Sequence, residues 1–244
     1  MKKMITHSRL MRDQLAPKLS SSARLKSGLS LLCHTMQSVV LAVVALTVFV
    51  SNALAADDAL EQLRAFTMDL TSFTADFEQS LYNTDSDLLD NDVGKLLLKR
   101  PGKFIWRYDG ADGQEFISDG KSLWMFDKEL DQVTVNALND RVGGTPLVLL
   151  MGGAPLEDQF SVTALGLADG IDWFELIPED NSTDFEALFI GLNESGLAAM
   201  ELRDNLGQAT QIQFTNFKAG VDLDDKQFDF VAPEGVDVIG EPVE

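Results

Sequence analysis

Between Lys99 and Asp127 apolar and polar positions alternate with a period of two, broken by three turn signals: KRPGKFIWRYDGADGQEFISDGKSLWMFD. The pattern predicts four short strands. Arg100-Pro101-Gly102, Asp109-Gly110 and Asp119-Gly120 join them, and Asp-Gly supplies the positive φ that a hairpin turn needs. Phe104, Trp106 and Tyr108 share one face of their strand, and Trp124 and Phe126 share one face of theirs. Antiparallel strands with large aromatics on one face build either a core or a greasy concavity, and a strand aromatic is more often core.

The same periodicity organises the chain around this stretch. Asp57 to Leu70 reads as an amphipathic helix, with Leu60, Leu63, Phe66, Thr67 and Leu70 close to one face and Asp57-Asp58 at its positive end. From Ser72 to Tyr82 the period changes to two, which predicts a strand. Thr84 to Asp92 is acidic and aperiodic and reads as a solvated loop. Its Asp85-x-Asp87-x-Leu89 spacing departs from a calcium-binding loop. Val93 to Lys99 and Leu130 to Val135 read as strands. So do Gln159 to Leu165, Ile171 to Ile177, Asp184 to Leu192, Ala198 to Asp204 and Thr210 to Phe217, and Asp225 to Val231 reads as a last short one.

Arg141 to Pro155 has a different character. Thr145 is a good N-cap, Pro146 fits the first helical position, Leu147 to Met151 is wholly apolar, and Gly152-Gly153 stops it. This short greasy helix is either a buried connection or a lid on glycine hinges. The fold class is mainly β with helices, in one domain with one long antiparallel sheet. Many strands are apolar on both faces, as with Leu123 and Met125 opposite Trp124 and Phe126.

Charge and leader narrow the function. The net charge of the 244 residues is −20. Residues 1–55 hold seven basic residues (Lys2, Lys3, Arg9, Arg12, Lys18, Arg24, Lys26) and one acidic residue, Asp13. The remainder keeps 12 of the 19 basic and 38 of the 39 acidic residues, a net of −26. Such a surface speaks against binding nucleic acid or an anionic membrane by charge. The basic segment, the apolar run Val39 to Val50 and the site Ala53-Leu54-Ala55 read as a secretory signal cleaved before Ala56. The run is too short for a transmembrane helix. The basic part is longer than such signals need, and Met11 offers a later start.

The leader removes His7, His34 and Cys33, which are the only histidines and the only cysteine. The expected mature chain, 56–244, then has no disulfide, no Ser-His-Asp or Cys-His catalysis, and no zinc held by His or Cys. It also has no cysteine for a lipid anchor at Ala56, so it is expected to be soluble. No cofactor or metal is expected.

The strings K-R-P-G-K-F-x-W (Lys99 to Trp106), S-D-G-K-x-L-W (Ser118 to Trp124), D-Q-V-T (Asp131 to Thr134) and T-P-L-x-L-L (Thr145 to Leu150) stand in order, with Phe73-x-x-x-Phe77-x-Gln79 upstream. In this the chain resembles the LolA-type periplasmic carriers of outer-membrane lipoproteins. The resemblance is clearest from Phe73 to Met151. It implies an incomplete antiparallel β-barrel of about eleven strands with a helical lid over a hydrophobic cavity. It implies a soluble, non-enzymatic periplasmic chaperone, a monomer, that takes lipoproteins from an inner-membrane ABC transporter to an outer-membrane receptor. The high acidity and the Asp-rich segment depart from the expected pattern.

The resemblance implies that Phe77, Phe104, Trp106, Leu123 and Trp124 meet acyl chains. It implies a lid at Thr145, Pro146, Leu147, Leu149, Leu150 and Met151. Arg100, otherwise an ordinary surface arginine, becomes a latch on the lid carbonyls of Leu150 and Met151, since the last turn of a helix leaves carbonyls unpaired and a guanidinium has five donors. Two alternatives belong to other classes. One is a lipid-sensing regulatory module of the same fold. The other is a glycoside hydrolase working with two carboxylates, for which nothing in the chain singles out a pair.

Overall fold

In the computed structural model, which describes residues 59–243 apart from 112, 139–154 and 181–182, the expected N-terminal helix is present. The described residues lie within the compact unit Phe49–Glu244. Residues 59–64 are α-helical, and Ala65–Asp69 widens into a π-helical turn. The Thr67 hydroxyl donates back to the carbonyls of Leu63 and Arg64 at 3.0 and 3.2 Å, which satisfies it on a buried face. Leu63 and Phe66 are buried, and Leu60 and Leu70 pack beside them.

The strands are β1 (Ser72–Tyr82), β2 (Leu88–Lys99), β3 (Lys103–Tyr108), β4 (Glu115–Asp119), β5 (Ser122–Asp127) and β6 (Gln132–Ala137) in the first half. The second half holds β7 (Phe160–Ala168), β8 (Ile171–Pro178), β9 (Phe185–Asn193), β10 (Gly196–Asp204), β11 (Ala209–Ala219) and β12 (Asp237–Ile239). All twelve form one sheet in the order β12-β6-β5-β4-β3-β2-β1-β11-β10-β9-β8-β7, with β12 and β7 at its edges. Two antiparallel meanders meet where β1 pairs with β11, and only β12 runs parallel to its neighbour. The architecture is therefore the expected open antiparallel sheet, with eleven antiparallel strands and one short parallel addition.

Three local expectations are corrected. Residues 88–92, read as loop, extend β2 because they pair with β1 from Tyr82↔Leu88 to Gln79↔Asp92. The register of a long hairpin overrides the poor strand propensity of Asp and Asn. Asp225 to Val231 is not a strand: Asp225–Phe228 is a 3-10 turn capped by the Asp224 side chain, which accepts from the Lys226 amide. The last strand lies instead in the tail, at β12. The expected lid helix falls outside the described residues.

One continuous buried apolar cluster takes side chains from β1, β2, β3, β5, β7, β8, β9, β10 and β11, and from the N-terminal helix. Strands far apart in the sheet order share this cluster, so the sheet curves around it. We refer to this as the inner face. A second, smaller cluster covers the outside of the first half, where Leu223 and Phe228 pack on Ile105 and Ile117.

Candidate functional site

The pairing register builds the inner face in rows. One row runs Phe73, Leu98, Phe104, Ser118, Leu123 and Asn136 across β1 to β6. The next runs Ala75, Leu96, Trp106, Phe116, Met125 and Thr134. Phe104 and Trp106, two apart on β3, are 1% and 4% exposed. Phe77 sits opposite Gly94 on β2 and Phe214 on β11. A side chain at Gly94 would run into the Phe77 ring and the Arg107 carbonyl, so this glycine is what lets Phe77 lie flat on the sheet. The Phe77 ring is 4.4 Å from that of Trp106 and 5.3 Å, edge-on, from that of Tyr108.

The structure therefore brings together four of the five expected side chains, Phe77, Phe104, Trp106 and Leu123, in one cluster. It does not bring Trp124 there. Adjacent residues of a strand point to opposite faces, and Trp124 shares the outer row with Leu97, Ile105, Ile117 and Val135. Its ring packs 6.0 Å from that of Phe230, which also meets Phe126 at 6.1 Å. Trp124 anchors the C-terminal segment, and its assignment to the cavity is corrected.

That segment straps the outside of the sheet. Ser72 Oγ donates to the Val221 carbonyl at 2.7 Å, and Lys99 Nζ to the Leu223 carbonyl at 2.6 Å. Asp225 bridges Lys99 and Lys103 at 2.7 and 3.3 Å. Those two lysines, Lys99 first, hold its carboxyl below the usual carboxylate range.

Over the other end of the inner face lies the N-terminal helix. The Phe66 ring stands 6.3 Å from Phe73 and 6.4 Å from Phe217. Arg100, in the turn after β2, holds the helix end. Its Nη1 donates to the carbonyls of Phe66 at 3.1 Å and Leu70 at 2.7 Å, and its amide donates to Thr71 at 2.7 Å. Burial pushes the guanidinium down to about 10, so it stays charged at neutral pH. The expected acceptors at Leu150 and Met151, and the expected lid residues Thr145, Pro146, Leu147 and Leu149, lie outside the described residues. The cover formed by the N-terminal helix was not foreseen. Its signal was the apolar helix face itself, formed by Leu60, Leu63, Phe66 and Leu70.

At the end of the inner face away from Phe73 the lining turns polar. Tyr108 donates to Gln79 Oε1 at 3.1 Å, and burial raises its hydroxyl pKa. Asp92 pairs with Gln79 across the strands. Burial, then the charge of Asp90, raises its pKa. Among the described residues no group of three or more His, Cys, Asp or Glu could hold a metal. No described helix is long and apolar enough to cross a membrane.

A family model described as outer membrane lipoprotein carrier protein LolA matches residues 68–231. The chain belongs to the LolA family. An outer-membrane lipoprotein carrier protein of Methylococcus capsulatus is 39% identical over 177 residues, which cover 72% of this chain and 85% of the relative. One of Cupriavidus pinatubonensis is 36% identical over 201 residues, covering 80% and 94%. A solved LolA-superfamily structure from Nitrosomonas europaea superposes with a TM-score of 0.44 at 18% identity, covering 72% of this chain and 98% of that one. The LolA match takes in the whole inner face from Phe73 to Phe214, together with Arg100 and the outer strap as far as Phe230.

Proposed function

We infer that the chain is a periplasmic lipoprotein carrier. It takes lipoproteins released from the inner membrane by an ABC transporter, shields their acyl chains against the inner face, and delivers them to an outer-membrane receptor. The observation that carries this reading is the inner face: an open sheet whose curved side carries one continuous cluster of apolar side chains, with the N-terminal helix packed against it. The relatives' names agree with it.

The physical requirement matches. Three acyl chains in water expose roughly 45 methylenes, at about 0.8 kcal/mol each on the order of 35 kcal/mol in total. Shielding that surface takes adaptable apolar contacts and no nucleophile, acid, base or metal. Phe77, Phe104, Trp106 and Leu123 supply such contacts. The apolar segment Thr145 to Met151 acts as a lid, and Arg100 biases the empty carrier toward closure. Charge-assisted hydrogen bonds contribute about 1.5–3 kcal/mol each, so they cannot hold a cover shut against cargo. Residues 1–55 are removed on export, and the mature carrier works as a monomer.

Native mass spectrometry of the protein isolated from the periplasm tests this reading. A population carrying the mass of a triacylated lipoprotein is expected. Protein that stays in the cytoplasm, or that never carries lipoprotein when export to the outer membrane is active, would contradict it.

A further inference from the structure

Along β1 the inner face runs Phe73, Ala75, Phe77 and then Gln79. The polar end, where Gln79 meets Tyr108, lies beside Trp106. The Trp106 indole is 4% exposed, and its Nε1–H has no hydrogen-bond acceptor among the described residues. It lies near enough to the Tyr108 hydroxyl to lower that group's pKa against the larger upward push of burial, yet outside hydrogen-bond geometry. The Tyr108 hydroxyl spends its own proton on Gln79.

Buried donors are almost always paired, and an orphan on the curved apolar face points to a ligand. An indole N–H only donates, so the complementary group is an acceptor. A second donor of this kind, Asn136 Nδ2, lies on β6 of the same face. An acyl chain ends in a carbonyl, and in any acylated protein that carbonyl lies between the apolar tail and the polar remainder. Trp106 stands at the same boundary of the inner face. Phe77, Leu96 and Phe104 adjoin it on the apolar side, and Gln79 and Tyr108 on the polar side.

We propose that the Trp106 indole N–H binds the carbonyl oxygen of an acyl group, whose chain then runs past Phe77 and Phe104 toward the helix. The inner face thereby distinguishes acyl esters and amides from plain alkyl chains. This rests on the carrier reading above, and it adds a polar contact to a surface otherwise chosen for grease.

The test uses residues 56–244 and two matched probes, dioctanoylglycerol and its dioctyl ether, which differ only in the ester carbonyls. The wild-type protein is expected to bind the ester about fivefold more tightly, the effect of one hydrogen bond between neutral groups. In Trp106→Phe the ester-to-ether ratio falls to near one, whatever happens to the absolute affinities. A ratio that survives in Trp106→Phe overturns the assignment. Equal binding of both probes by the wild type overturns it too, and leaves the carrier function standing. Binding of neither probe overturns the carrier reading and the proposal together. Should Trp106→Phe fail to fold, the wild-type indole resonance of Trp106 decides: it moves downfield with the ester and not with the ether, and an unmoved resonance with bound ester overturns the proposal.

Discussion

Arg100 Nη1 donates to the Leu70 carbonyl at 2.7 Å, and so ties the last turn of the N-terminal helix to the turn between β2 and β3. A helix end leaves its final carbonyls without partners. Here a half-buried guanidinium on the sheet supplies them, reaching Phe66 as well. The end of the helix that packs on the inner face is thus tied to the sheet by a guanidinium as well as by the packing of Phe66 and Leu70.

Replacing that side chain tests the tether. Arg100→Leu keeps the sheet and loses charge-assisted bonds, so stability against urea should fall by about 1.5–3 kcal/mol for each bond lost. The empty variant should bind more of a hydrophobic dye than the wild type, because the helix end lifts. Dye binding and stability both equal to the wild type would make Arg100 an ordinary surface arginine.

Gly94 is the floor beneath Phe77, and any Cβ there meets the Phe77 ring and the Arg107 carbonyl. Gly94→Ala should lower stability by about 1–3 kcal/mol, the usual result of overpacking. It should also push Phe77 off the sheet, visible as altered near-ultraviolet circular dichroism from the Phe77, Trp106 and Tyr108 group. An unchanged melting temperature would show that the strands separate freely at this point.

Trp124 and Phe104 lie on opposite faces, so their removal should have separable effects. Trp124→Ala loses the Phe230 contact and should cost about 1–3 kcal/mol while leaving acyl-chain binding as it was. Faster hydrogen exchange confined to residues 221–230 would report the loosened strap. Loss of acyl binding without a change in the strap would place Trp124 in the cavity after all.

Asp225 makes the strap sensitive to acid. Its carboxyl sits between Lys99 and Lys103, and its pKa is lowered in the folded protein from the ordinary 3.8. A lowered folded value means that folding favours the ionised form. The contribution is complete above the ordinary carboxylate range and fades as the pH falls through the lowered value. Exchange protection of the Asp225–Phe228 turn should therefore hold from neutral pH down to the ordinary carboxylate value of 3.8 and weaken as the pH falls below it. Asp225→Asn should show the weaker protection at neutral pH already and little further change on acidification.

Alternation and Asp-Gly turns were enough to draw the first half of the sheet, because each strand there pairs with its neighbour in sequence. Ser72 to Tyr82 was legible to the residue for that reason. The start of β2 was not, because Asp90, Asn91 and Asp92 are poor strand formers held in place by β1. The short β12 was not legible either, since three residues pairing in parallel with β6 leave no pattern of their own. In the candidate site, period two shows that Leu123 and Trp124 face opposite ways. Which of them faces inward depends on where Phe230 docks, 106 positions on from Trp124. The acceptors of Arg100 lie 30 and 34 positions away, and only the folded helix brings them to it. Gln79 was visible within a motif, but its meaning came from the Tyr108 hydroxyl above it.

The central claim is that acyl chains lie on the inner face. The most direct measurement is photo-crosslinking with a lipopeptide that carries a diazirine within its acyl chain, followed by mapping of the attached residues by mass spectrometry. The account predicts adducts on Phe77, Phe104, Leu123 and Phe214. Adducts confined to the outer residues Trp124, Phe126 and Phe230 would contradict it.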